Sequence, residues 1–106
     1  MTTMRGVCEH TEGKHFTVNA IDPGAGLRRA FDGKLFEEVP PFTVLGAQIQ
    51  APDLDALHGA CTFTGTVGPQ QLSMVFDSAT RISGHIVPAL DREWALAGEG
   101  YWRAEF

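Results

Sequence analysis

Residues 94–106 read Trp-Ala-Leu-Ala-Gly-Glu-Gly-Tyr-Trp-Arg-Ala-Glu-Phe. Trp94, Leu96, Gly98, Gly100, Trp102, Ala104 and Phe106 share one parity, while Ala95, Ala97, Glu99, Tyr101, Arg103 and Glu105 share the other. Side chains of a β-strand point alternately to opposite faces, so this stretch predicts a long strand with an aromatic, glycine-interrupted inner face and a charged outer one. Both tryptophans mark the inward direction.

The same period appears upstream. Ala60 to Val67 sets Cys61, Phe63, Gly65 and Val67 against Thr62, Thr64 and Thr66, and it stops at Gly68-Pro69. Leu72, Met74 and Phe76 alternate within Gln71 to Asp77. Ile82, Gly84 and Ile86 do so within Arg81 to Val87. Short turn-forming connections join these segments, which predicts four antiparallel strands in a meander from Ala60 to Phe106. In the first half, Lys14 to Ile21 alternates Phe16, Val18 and Ala20 and ends at Asp22-Pro23-Gly24, and Phe42 to Gln50 also reads as a strand.

Leu27 to Glu38 has two readings. Asp32-Gly33 is a hairpin signal that would set Arg28 opposite Glu37, whereas Leu27, Ala30, Phe31 and Leu35 also fall on one helical stripe. The hairpin is preferred slightly. Pro52 to Leu57, followed by His58-Gly59, predicts one short helical turn that bridges two strands or covers a barrel end. No internal repeat or linker divides residues 1–106, so one domain is expected. The expected fold is all-β: a small antiparallel β-barrel of seven or eight strands with that turn, or alternatively a two-layer β-sandwich. Glycines in mid-strand let a small sheet bend to closure, which favours the barrel.

A net charge of −5 with eight scattered Lys and Arg argues against a nucleic-acid partner. No run of apolar residues is long enough for a membrane helix and no signal peptide is seen, so the expectation is a cytoplasmic protein without a membrane role. Cys8 and Cys61 are expected as buried thiols. Cys8 with His10 and His58 with Cys61 would make a zinc set if the two pairs converged, but their spacing fits no zinc motif, so no metal is expected. Gly24-Ala25-Gly26 is not a dinucleotide fingerprint, and no cofactor is expected.

For catalysis, His85 could approach Glu99 or Tyr101 if their strands are neighbours; the alternative is a solvated outer face, and no catalytic residue is assigned. Gly65, Gly84, Gly98 and Gly100 stand among large inward rings. They leave room either for an apolar small molecule or for those rings themselves. In the first case Phe63, Met74, Phe76, Trp94 and Trp102 are the ligand-binding walls. Three functions follow in order: a barrel holding an apolar ligand, a protein-binding module with a filled core that uses a sheet edge, the acidic surface or Lys34 to Phe42, and a barrel cyclase or isomerase. A homodimer through an exposed strand or apolar patch is also expected to be possible.

Thr3-Met4-Arg5-Gly6, Ala51-Pro52-Asp53-Leu54-Asp55-Ala56-Leu57 and Thr64-Gly65-Thr66-Val67 together resemble the β-rich accessory region of bacterial cholesterol-oxidase-like flavoproteins. The resemblance implies a free-standing β domain that lies near, or binds, steroid-like or other apolar molecules. The flavin fingerprint and catalytic residues of those enzymes have no counterpart here.

Overall fold

The computed structural model describes residues 2–22, 24 and 26–105. They form a closed antiparallel barrel of eight strands: β1 Thr2–His10, β2 His15–Ile21, β3 Arg28–Leu35, β4 Phe42–Ala51, β5 Gly59–Val67, β6 Gln71–Phe76, β7 Arg81–His85 and β8 Trp94–Glu105. Around the barrel their order is β1-β2-β3-β8-β5-β6-β7-β4, with β4 closing onto β1. Barrel closure is as expected, and each described strand has a hydrogen-bonded neighbour on both sides. Phe106, read as inward-facing, lies outside the described residues.

Two expectations about connectivity are corrected. The meander holds for β5, β6 and β7, but β8 pairs with β5 and β3 instead of β7. Each half of the barrel is therefore a Greek key, in which three hairpin-linked strands are followed by a fourth lying beside the first. β4 pairs with β1 of its own half and with β7 of the other, as β8 pairs with β5 and then β3. The fold thus contains a twofold repeat that leaves no trace in the residues.

The second correction concerns residues 27–38, which form neither a hairpin nor a helix. β3 runs straight through Asp32-Gly33, and Arg28 stands opposite Glu105, not Glu37. Gly33 serves close approach instead of a turn: it faces Gly100 in register, and a Cβ on it would stand 2.6 Å from the Glu99 carbonyl oxygen and from the Phe31 ring. Leu54–Leu57 does form one 3-10 turn, with the Asp53 carboxylate accepting the Ala56 N–H at 3.1 Å. Leu57 is fully buried against the core, so the turn covers one end of the barrel.

That end also carries Met4, Ala51, Cys61, Phe76 and Trp102, as the pairings Thr2 with Ala51 and Gly59 with Trp102 require. At the opposite end stand His10 beside Phe42 and Val67 beside Trp94. A continuous aromatic column joins the two. From His10 it passes through Phe42, Phe16, Phe63, Phe31 and Phe76 to Trp102, with neighbouring ring centroids 5.0–6.2 Å apart. Tilted and edge-on contacts of this kind add to the gain from burial alone.

Candidate functional site

Four of the five sequence-predicted wall residues, Phe63, Met74, Phe76 and Trp102, are buried in the barrel interior. Phe63, Phe76 and Trp102 meet in the column. Trp94 does not join them; it is half-buried at the opposite end, where its indole N–H donates to the Asp91 carboxylate at 3.2 Å and the Arg92 guanidinium lies 3.7 Å above the ring. Three large rings of the interior were not predicted as wall: Phe16, Phe31 and Phe42. Their alternation on β2, β3 and β4 was the available signal, masked for Phe31 by the turn-like Asp32-Gly33.

The room opened by the inward glycines is occupied. A Cβ on Gly98 would stand 2.6 Å from Phe63 Cζ, and one on Gly100 2.8 Å from Phe31 Cζ. At Gly84 the space is taken by Val44 Cγ1 at 2.5 Å, and at Gly65 by the Met74 backbone and Cβ. Among the described residues one buried side-chain polar atom is unmatched: Trp102 Nε1 has no hydrogen-bond partner. An orphaned buried donor costs on the order of 1–3 kcal/mol.

Titratable groups inside are few. His10 is buried, with Nδ1 2.7 Å from the His15 carbonyl oxygen and Nε2 2.6 Å from that of Val39. Each nitrogen faces a backbone carbonyl, and the one that carries the proton in a neutral ring donates to it, so the ring sits between β2 and the segment before β4. Burial pushes the Cys8 thiol up to about 12. Cys61 is raised as well, first by burial and then by the nearby Asp77 carboxylate. Both cysteines are free. The hypothetical zinc pairs sit at opposite ends of the barrel, and no group of three metal-ligating side chains occurs among the described residues.

On the outer wall, His85 does not meet Glu99 or Tyr101, because β7 lies between β6 and β4. β3 meets them instead: Lys34 stands opposite Glu99, and Asp32 opposite Tyr101. His15 Nε2 lies 2.8 Å from Asp32 Oδ1, a solvent-exposed pair that orients the imidazole and adds little stability. These residues surround a groove of about 680 Å³, bordered also by Asp77 and floored by Gly33 and Gly100. The two glycines remove inward side chains at adjacent register positions, so the wall draws in toward the column and leaves the groove outside. Three carboxylates, Asp32, Asp77 and Glu99, outnumber Lys34 as permanent charges there. Tyr101 presents a half-exposed ring. Sequence parity had marked Glu99 and Tyr101 as outward; their true neighbours required the β3–β8 register.

No family model, curated protein or solved structure matches this chain.

Proposed function

We propose that the protein is a binding module that acts through its outer wall, at the groove over Gly33 and Gly100, and that its partner presents a cationic side chain. The observation that carries this reading is the groove itself, which pairs an excess of carboxylates with the exposed ring of Tyr101. A lysine or arginine entering it would meet Asp77 and Glu99 and lie against the tyrosine face, an arrangement worth about 0.5–2 kcal/mol for the ring contact alone. Filling of the glycine recesses by Phe31, Phe63 and Val44 supports the outside over the inside.

A second reading has its own support. The unpartnered Trp102 N–H, within the aromatic column, suits an apolar small molecule with one hydrogen-bond acceptor, including the steroid-like class implied by the resemblance above. Such a ligand would have to displace rings at the 3-10-turn end. The cyclase or isomerase reading lacks comparable support: among the described residues no carboxylate is buried, and His10 is occupied by two carbonyls.

One experiment separates these readings. Nitrogen-15 NMR of the protein is followed during titration with a short lysine- and arginine-rich peptide, then with a steroid ketone and its matching hydrocarbon. The groove reading expects the peptide to move the amides of Lys34, Glu99 and Tyr101 and to leave the Trp102 indole signal in place. Replacing Asp77 and Glu99 by the amides should weaken that binding on the order of tenfold. A silent groove sinks the proposal. Movement of the Trp102 indole by the ketone but not the hydrocarbon would put the interior reading in its place.

A further inference from the structure

Residues 36–41 join β3 to β4 and form a strap beside His10 and Trp94, at the end of the barrel opposite the 3-10 turn. Backbone hydrogen bonds fasten the strap at its two ends: the Phe36 N–H donates to the Ala97 carbonyl and the Thr43 N–H to the Val87 carbonyl, each at 2.9 Å. Pro40 and Pro41 have no N–H to offer. Among the described residues, the only hydrogen-bonding contact made by residues 37–41 is that of the Val39 carbonyl with His10 Nε2. The one polar tether of the strap is therefore a titratable side chain.

The geometry of that tether asks for two protons. His10 is 1% exposed, with a carbonyl oxygen 2.6 Å from Nε2 and another 2.7 Å from Nδ1. A carbonyl oxygen only accepts, and a neutral imidazole carries a single N–H, so its other nitrogen would turn a lone pair toward an oxygen lone pair. At these separations that contact is repulsive. An imidazolium has an N–H for each oxygen, and such short distances belong to charge-assisted hydrogen bonds.

We propose that His10 is a proton-operated clasp: its protonated ring ties the Val39 carbonyl of the strap to the His15 carbonyl of β2, and loss of one proton frees the strap. Burial opposes a charge here, but both N–H groups of the cation have acceptors. Glu12 from the β1–β2 turn and Glu38 from the strap border the same groove and favour the cation, while Arg92, held over Trp94, opposes it. The rings of Phe16 and Phe42, from β2 and β4, bring no charge, and the Cys8 thiol on β1, pushed up to about 12, stays neutral. Since the closed form holds a proton that the open form gives up, acid favours closure and rising pH opens the strap. Opening withdraws the buried Val39 side chain from the core and uncovers the His10 end of the aromatic column. The carboxylate-lined groove over Gly33 and Gly100 takes no part in it.

Nuclear magnetic resonance of the intact, isotope-labelled chain tests the clasp, by following the His10 ring nitrogens and the Val39 methyl groups through a pH titration across the histidine range. At the acid end both His10 nitrogens should be protonated. As the pH rises one proton should be lost, and the Val39 methyl signals should move with the same midpoint. His10→Gln should abolish that movement, and His85→Gln, at an exposed site on β7, should leave it intact. If His10→Gln loses its near-ultraviolet circular dichroism, the ring and methyl signals of the unmodified chain decide. A His10 ring that keeps the same number of protons throughout overturns the proposal. Titration of His10 with the Val39 methyls unmoved overturns it equally, as does Val39 movement that persists in a folded His10→Gln.

Discussion

Glycine has opposite meanings at different positions of this barrel. At Gly98 an added methyl would collide with Phe63 and with the Lys34 carbonyl oxygen, while at Gly46, on the exposed bulge of β4, it would meet nothing within 4 Å. Gly98→Ala is therefore expected to destabilise by roughly 1–3 kcal/mol through overpacking. Gly46→Ala should be neutral or stabilise by up to about 1 kcal/mol, by restricting the unfolded chain. Chemical denaturation of the two variants checks the contrast. Cys8 supplies a second residue-level outcome. Its buried thiol titrates near 12 in place of 9.0, so the folded chain holds that proton more tightly than the unfolded one. The stability it contributes is complete below pH 9 and falls as pH rises from 9 toward 12, by about 1.4 kcal/mol per pH unit. Unfolding curves at neutral and alkaline pH should show Cys8→Ala losing less stability than the parent over that window.

Among elements, legibility followed how local the deciding interactions were. β5, β6 and β7 were readable because each alternates cleanly and is joined to the next by a short turn. β3 was not, since Asp32-Gly33 is a turn signal within any local window. The pairing partner of Gly33 is Gly100, far along the chain, where a Cβ would stand 2.5 Å from Gly33 Cα. The interior site was legible in the same uneven way. Parity placed Phe63, Met74, Phe76 and Trp102 inward, whereas the orphaned state of the Trp102 N–H depends on what surrounds it and could not be read from spacing. Trp94 has the right parity but stands where the barrel meets solvent, a matter of strand ends and not of period. The outer groove was half legible: Glu99 and Tyr101 were outward by pattern, but Asp32, Lys34 and His15 arrive through pairings between distant segments.

For the whole molecule, the two Greek keys interlock. The β4–β7 and β3–β8 ladders both cross between the halves, so neither half has a closed sheet or complete core without the other. Separate polypeptides spanning residues 1–53 and 54–106 should each be largely unfolded and should regain the intact chain's near-ultraviolet circular dichroism on mixing. Independent folding of either piece would contradict this account. Mid-strand glycines announced closure in advance, but strand order was hidden because local alternation carries no information about which distant strand is adjacent. The aromatic column, finally, bears on mechanical response to compression. With phenyl rings and aliphatic groups lodged against the inward glycines, unfolding has little trapped void to release there, and hydrostatic pressure, which acts through lost void volume, has correspondingly weak leverage on this barrel.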